Sequence, residues 1–176
     1  YKALFPEVIR LEGLRLLNDP ALDAPERRAE KEDRLWALSR RLFDYRTMSR
    51  LVLASRWADF SDRQQSDFVT AFEGFLRRAY LPRLLERYNG EQVFFEGQRV
   101  LSHSRVAIDA YVLWQGRAIP FSVRMINRQG LWRIYDVGAM GVSAVKNYRA
   151  QFRWLLLKDT PDELIARLNA RAHPAS

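Results

Sequence analysis

The sequence predicts an α+β fold in which N-terminal helices pack on a curved antiparallel sheet of about four strands, followed by C-terminal helices. Two observations lead to this prediction. Apolar residues recur at every third or fourth position over residues 4–85, as in amphipathic helices, and at every second position over residues 104–139, as in strands. The helical spacing returns after residue 143. Because helices and strands occupy separate stretches and the turns between strands are short, we expect antiparallel neighbours and a single domain over residues 1–176.

Two candidate helices begin the chain. The first stops at Asn18-Asp19-Pro20, and its apolar face carries Leu4, Val8, Leu11, Leu14 and Leu17. The second is expected to begin at Asp23-Ala24-Pro25-Glu26, which offers a cap acceptor and a proline in the first turn. It continues through Leu35, Leu38 and Leu42, and its strongly charged early part, residues 26–34, is expected to be exposed.

Two more helices are expected before the sheet. Asp44 is in position to cap a short helix that carries Met48, Leu51 and Val52. Ser61-Asp62-Arg63-Gln64 has the capping-box pattern and opens a long helix. One side of the long helix carries Phe68, Phe72, Phe75, Leu76, Ala79 and Tyr80. Pro82 is expected to kink or split this helix, and Asn89-Gly90 to supply its left-handed C-terminal cap.

Four strands are expected next, over residues 93–100, 104–114, 119–125 and 131–139, with Gly-containing turns between the later ones. The second strand carries on one face Val106, Ile108, Ala110, Val112 and Trp114. The third carries on one face Ile119, Phe121, Val123 and Met125. Because an apolar strand face must be buried, we expect these faces to turn towards the helices.

Two helices are expected to follow the sheet. Ser143 is in position to cap a helix that carries Val145, Tyr148, Phe152 and Leu155. Thr160-Pro161-Asp162-Glu163 is a capping box with proline at the first helical position, and the helix that it opens is expected to fray at His173-Pro174. A curved sheet packed on long helices can enclose a conical cavity, which is a feature of the nuclear-transport-factor-like architecture.

The composition restricts the possible functions. Lys and Arg number 29 and Asp and Glu 21, a net charge of +8, and the arginines are spread along the chain. The aromatic residues fall at core spacings, so we expect a solvated basic surface and no nucleic-acid partner. Without cysteine there is no disulfide, thiol nucleophile or cysteine-bound zinc. Because the chain starts at Tyr1, we expect a mature form from which any signal peptide has been removed.

Few residues suit catalysis or metal binding. His103 and His173 are the only histidines and form no metal-binding motif, and neither a P-loop nor a GxSxG nucleophile motif occurs. Asp44, Asp109 and Asp136 lie among apolar or aromatic neighbours. A buried aspartate can act as the general base in enzymes of ketosteroid-isomerase-like architecture. These carboxylates leave an enzymatic function open as an alternative to capping or hydrogen-bonded structural roles.

Three segments form an ordered set that is more specific than any of them alone. The first is Phe43-Asp44-Tyr45-Arg46-Thr47-Met48 with Trp57 after it, and the second runs from Gln64 to Tyr80. The third begins with Trp132-Arg133-Ile134-Tyr135-Asp136-Val137 and continues through Gly141-Val142-Ser143, Asn147-Tyr148-Arg149 and Gln151-Phe152. In order and spacing these segments resemble the MlaC family. The chain departs from the family pattern where Ala144 follows Ser143 and where Met140 precedes Gly141.

The resemblance implies a periplasmic lipid carrier with no ATPase or lipase activity, and hence no enzyme. It implies that phospholipid, or a related lipid such as a hopanoid, moves as cargo between an inner-membrane ABC-transporter complex and an outer-membrane lipoprotein–porin complex. We expect no catalytic residue, metal or cofactor, and a monomeric protein.

The expected lining of the lipid cavity is selected by apolarity and spacing, which suit a dry core equally well. On the sheet face it comprises Val106, Ile108, Val112, Phe121, Val123 and Met125. On the helices that would close the cavity it comprises Met48, Phe72, Leu76, Tyr80, Tyr148 and Phe152. Tyr135, Asp136 and Arg149 are interpreted as scaffold residues that hold a strand against the helix after it.

Overall fold

The computed structural model describes residues 12–170, and the α+β arrangement is confirmed. Its helices are α1 (Leu14–Leu17), α2 (Arg28–Leu42), α3 (Tyr45–Leu53), α4 (Asp62–Arg87), α5 (Ala144–Leu155) and α6 (Pro161–Ala170). Its strands are β1 (Val93–Ser102), β2 (Arg105–Trp114), β3 (Arg117–Arg128), β4 (Leu131–Ala139) and the short β5 (Val142–Ser143). Short 3₁₀ turns cover Pro20–Leu22, Pro25–Arg27 and Ala54–Asp59. The predictions for Leu4, Val8, Leu11 and His173 fall outside the described residues.

Most helices begin at the predicted caps. The Asp44 carboxylate accepts the backbone N–H of Thr47 at 2.8 Å, and the Ser143 hydroxyl accepts that of Lys146 at 3.1 Å. Ser61 exchanges both capping-box hydrogen bonds with Gln64, and Thr160 exchanges both with Glu163. These local side chains satisfy backbone N–H groups that have no partner inside the helix.

The predicted start of α2 is wrong. Residues 25–27 form a 3₁₀ turn and α2 begins at Arg28, so the Asp23 side chain does not cap α2. Instead, its carboxylate receives a hydrogen bond from Lys31 Nζ at 2.7 Å, and the same ammonium donates to the carbonyl of Leu17 at 2.7 Å. These two acceptors allow Lys31 to be buried within a segment that was expected to be exposed.

Helix α4 continues through Pro82 to Arg87, so the proline does not split it. The helix ends because Tyr88 turns to extended backbone, with φ −67° and ψ 123°. Gly90 does adopt a positive φ, 78°, but two residues beyond that point.

The strands form one sheet in the order β1-β2-β3-β4-β5 with antiparallel neighbours throughout, a meander of four long strands plus β5. A bulge in β4 adds one residue, because Arg124 pairs with Asp136 while Met125 pairs with Ile134. Tyr135 is the extra residue. It joins the helical core, and the Asp136 carboxylate contacts the start of α5.

The helices join the sheet at its β4 side. Phe43 forms a parallel bridge with Ile134, and the backbone N–H of Asp44 donates to the Ile134 carbonyl at 2.8 Å. The buried apolar residues form two clusters, one centred on the helices and one on the sheet, and Phe43 packs against both. This junction places the sheet cluster beside the helices without merging the two.

Candidate functional site

The predicted sheet residues lie together on one face. The β2–β3 register pairs Val106 with Met125 and Ile108 with Val123. Two further pairs on the same side, Ala110 with Phe121 and Val112 with Ile119, extend the row. We call this side of β2 and β3 the apolar face. All six sheet residues named from the sequence belong to it.

The apolar face is closed at one end and open at the other. Val106, Ile108 and Ala110 are buried, with exposures of 7%, 6% and 1%, whereas Val112 is half-buried and Trp114 is 42% exposed. These five residues alternate along one strand, and exposure rises from Ala110 through Val112 to Trp114, towards the β2–β3 turn. We call the side at Trp114 the open end.

A cleft of about 660 Å³ lies at the open end. Leu113, Trp114 and Gln115 supply one wall, and the end of α4 with the connection to β1 supplies the other. The second wall comprises Arg87, Asn89, Gly90, Glu91 and Gln92. A neighbouring cleft of about 410 Å³ shares Gly90, Glu91 and Gln92 and extends to Leu14, Asn18, Tyr88, Val93 and Phe94. The sheet and the helices therefore diverge at this end.

A smaller cavity of about 170 Å³ borders the closed end. Val106 and Trp132 supply its apolar wall. Its other lining residues are Gln98, Val100, Ser102 and His103. His103, weighed above as a catalytic candidate, thus lies in the β1–β2 turn beside polar neighbours.

The predicted helix residues form a second group inside the helical core. The rings of Phe72, Tyr148 and Phe152 contact one another, with centroids 5.5–5.8 Å apart. Met48 and Leu76 are buried in the same cluster. The structure therefore separates the twelve predicted lining residues into a sheet group and a helix group.

Tyr80 is the exposed member of the helix group, with 47% of its surface accessible. Its hydroxyl lies 2.5 Å from that of Tyr148, which is 1% exposed. Burial raises the pKa of the Tyr148 hydroxyl, and the hydrogen bond with Tyr80 raises it further. The Tyr148 hydroxyl therefore keeps its proton at physiological pH.

Asp44 and Asp136 are engaged in structural hydrogen bonds. Asp44 caps α3, accepts the Thr47 hydroxyl at 2.7 Å and pairs with Arg128 of β3 at 3.2 Å. Asp136 is 4% exposed and accepts the Ser143 hydroxyl at 2.6 Å and the backbone N–H of Val145 at 3.1 Å. The scaffold role predicted for Asp136 is therefore confirmed.

Asp109 and Arg149 also have fixed partners. Arg99 donates two hydrogen bonds to Asp109, at 2.8 and 3.1 Å. Hydrogen bonding from Arg99 holds the pKa of the Asp109 carboxyl below its usual value. Arg149 donates to the Leu51 carbonyl at 2.8 Å, which ties α5 to α3. Over residues 12–170, no cluster of three or more His, Cys, Asp or Glu side chains is suited to hold a metal ion.

Sequence reasoning missed several residues around the apolar face. Trp114 and Leu113 border the open cleft, and Trp114 had already appeared in the β2 alternation that could have identified it. Phe43 and Trp132 pack against the sheet cluster, but Phe43 arrives through a bridge between distant parts of the chain. Within the described part of the chain, no helix is both long and apolar enough to cross a bilayer.

Comparisons with known proteins agree with this architecture. The phospholipid-binding protein of Ralstonia solanacearum, solved in complex with a phospholipid, superposes with a TM-score of 0.77 over 94% of each chain, at 18% sequence identity. The comparison with curated proteins gave no significant match. The profile of the MlaC protein family matches residues 12–170, nearly the whole sequence. This chain therefore belongs to the MlaC family.

Proposed function

We propose that this protein is a periplasmic carrier of phospholipid, or of a related lipid such as a hopanoid. It would exchange its cargo with an inner-membrane ABC-transporter complex and an outer-membrane lipoprotein–porin complex. The observation that carries the proposal is the one-sided apolar row on β2 and β3, which opens into a cleft. Family membership and the fold shared with a phospholipid-binding protein support it.

The apolar face has the length that an acyl chain needs. Val106 and Trp114 are eight residues apart on β2, a span of about 26 Å at the usual rise of a strand. One leaflet of a bilayer contributes about 15 Å to the hydrocarbon core. A tail that begins at Trp114 can therefore lie fully along the face, with its end near Ala110, four residues further along β2.

Occupation of the face requires local rearrangement. Ile108, Val123 and Met125 are 1–8% exposed, so a tail would replace the side-chain contacts that bury them now. The helix group is harder to reach, because a tail would have to separate rings that already pack edge to face. We propose that the tails contact the sheet group first, and that lining by the helix group follows when the ring cluster opens.

A carrier that shields acyl chains from water removes the main free-energy barrier to lipid transfer and needs no catalytic activity. At about 0.8 kcal/mol per CH₂, exposing roughly 30 methylenes to water costs on the order of 25 kcal/mol. Since a bilayer and an apolar cavity are both free of water, transfer between them can be nearly neutral. The direction of transport would then come from the partner complexes or from lipid concentrations.

The carboxylates support a non-enzymatic role. Asp44, Asp109 and Asp136 are each held by an arginine, a hydroxyl or a backbone N–H. None of the three lies among the lining residues of the 660 Å³ or the 170 Å³ cavity. A general base of the ketosteroid-isomerase kind needs a carboxylate directed at bound substrate, so this alternative gains no specific support.

Native mass spectrometry of protein purified from a Gram-negative host tests the proposal. We expect about one bound phospholipid per chain, identified after extraction. As a control, a denatured and refolded sample should load lipid again from phospholipid vesicles. A mass without lipid, both as purified and after incubation with vesicles, would contradict lipid carriage.

A further inference from the structure

We infer that the 660 Å³ cleft at the open end is a binding site for a phosphate group, with Arg87 as its cationic ligand. This inference rests on the proposed lipid-carrying function and specifies where the headgroup would lie. The same chemistry would suit free phosphate, so the experiment must distinguish the two sources.

Arg87 is available to a ligand. It follows Arg83 by one helical turn at the end of α4, and it is exposed. Its guanidinium makes no hydrogen bond or ion pair with any other described residue. Other arginines, such as Arg40, Arg99 and Arg167, each form an ion pair with a carboxylate of the protein. A guanidinium binds phosphate oxygens through two parallel N–H donors, which suits a site that must recognise an anion in water.

The remaining polar groups of the cleft are mainly amides. Asn89, Gln92 and Gln115 line it and supply N–H donors for phosphate or glycerol oxygens. Among the lining residues of the cleft, only Glu91 carries a carboxylate. One oxygen of the Glu91 carboxylate accepts a hydrogen bond from the backbone N–H of Asn89 at 2.7 Å. That hydrogen bond holds the Glu91 carboxylate against the connection between α4 and β1, to which both residues belong.

The cleft joins this polar end to the apolar face. Leu113 and Trp114 line it and are 40% and 42% exposed. Trp114 occupies the same alternating row as Val112 and Ile108, so the apolar surface continues from the cleft into the buried part of the face. The volume lies within the roughly 300–1,000 Å³ of small-ligand sites. A lipid whose tails lie on the face would therefore place its phosphate beside Arg87.

A competition between two lipids that differ in the phosphate provides the test. Phosphatidylcholine vesicles would contain equal amounts of phosphatidylglycerol and diacylglycerol with identical labelled chains, and native mass spectrometry would give the ratio loaded. We expect the wild-type protein to favour phosphatidylglycerol. Arg87→Gln should lower that preference about tenfold, the effect of losing a charge-assisted hydrogen bond, while Arg87→Lys should lower it less.

Arg83→Gln is the matched control, because it removes the same charge from the same helix without touching the cleft. It should retain the wild-type preference. An equal preference in wild type and Arg87→Gln, or an equal fall in Arg83→Gln, would overturn the inference. So would a loss of both lipids to the same extent in Arg87→Gln, because that pattern indicates a general defect rather than phosphate recognition.

Inorganic phosphate distinguishes the source of the anion. We expect millimolar phosphate to leave the lipid ratio unchanged, because the bound tails hold the headgroup beside Arg87 at a high effective concentration. Phosphate binding that Arg87→Gln abolishes, together with a lipid ratio that Arg87→Gln leaves at the wild-type value, would overturn the headgroup assignment. Failure of the wild-type protein to load either lipid would instead contradict the proposed function itself.

Discussion

The Tyr80 and Tyr148 hydroxyls lie 2.5 Å apart and join α4 to α5 between a half-exposed and a fully buried ring. The helical core thus contains a tyrosine whose ionisation is strongly opposed. Tyr45 behaves similarly, because burial raises its pKa to about 12. Both side chains should make the folded state less stable at alkaline pH.

We predict a loss of stability above about pH 10. An unfolded tyrosine has a pKa near ~10, and the folded state retains the proton above that value. The contribution of Tyr45 is therefore complete below about pH 10 and is lost as the pH rises through about 12, and that of Tyr148 follows the same direction. Urea unfolding at pH 7, 9, 10 and 11 measures this decline. Tyr148→Phe should flatten it, and equal slopes in wild type and variant would exclude the buried hydroxyl as the cause.

The orientation of the apolar face can be tested with one charge on each side of β3. Val123→Arg should abolish lipid loading and lower the free energy of unfolding by about 2–4 kcal/mol, because the guanidinium enters a cluster of buried apolar side chains. Ala118→Arg introduces the same charge on the opposite, exposed side and should load lipid normally. Loading by native mass spectrometry and urea titration give the two readouts. Normal loading by a folded Val123→Arg protein would show that tails do not contact this face. Phe121→Asp provides a second variant of the same face.

The hydrogen-bond networks of Asp44 and Asp136 should contribute to stability and not to chemistry. Asp136→Ala removes the acceptor of the Ser143 hydroxyl and of the Val145 N–H in the first turn of α5, so we expect a loss of about 2–4 kcal/mol. Asp44→Ala removes the cap of α3 and should cost about 1–2 kcal/mol. In both variants, lipid bound per folded molecule should stay at the wild-type level. Urea titration measures the stability of each variant, and lipid extraction measures the lipid bound per folded molecule. A variant that stays stable but loses its lipid would contradict a purely structural role.

The success of the sequence predictions depends on how local each signal is. Asp44, Ser61, Ser143 and Thr160 cap helices through partners three residues away, so spacing alone identifies them. The apolar face also follows from strict alternation, since a strand places every second residue on one side. These signals were sufficient for the element order and for the sheet half of the candidate site.

Predictions that depended on distant parts of the chain were less complete. Lys31 is buried because its ammonium reaches Asp23 and the Leu17 carbonyl, which no periodicity reveals. Likewise, alternation along a strand could not show that the helix group packs in a cluster separate from the sheet group. That arrangement depends on where the helices meet the sheet, and the meeting point is a bridge between Phe43 and Ile134, which are far apart in sequence. The cleft at Arg87 forms between the end of α4 and the β2–β3 turn, so its lining could not be assembled from either segment alone.

The open end should control the rate at which lipid enters and leaves. Trp114 is 42% exposed at the mouth of the apolar face, and an indole ring is suited to the boundary between hydrocarbon and water. Trp114→Ala should therefore slow transfer of a fluorescent phospholipid between vesicles, about three- to tenfold if the ring contributes 0.7–1.4 kcal/mol to that contact. Trp154→Ala is the matched control, because Trp154 is 59% exposed but lies on α5, outside the cleft. Equal rates for Trp114→Ala and wild type, or equal slowing by Trp154→Ala, would show that lipid enters elsewhere.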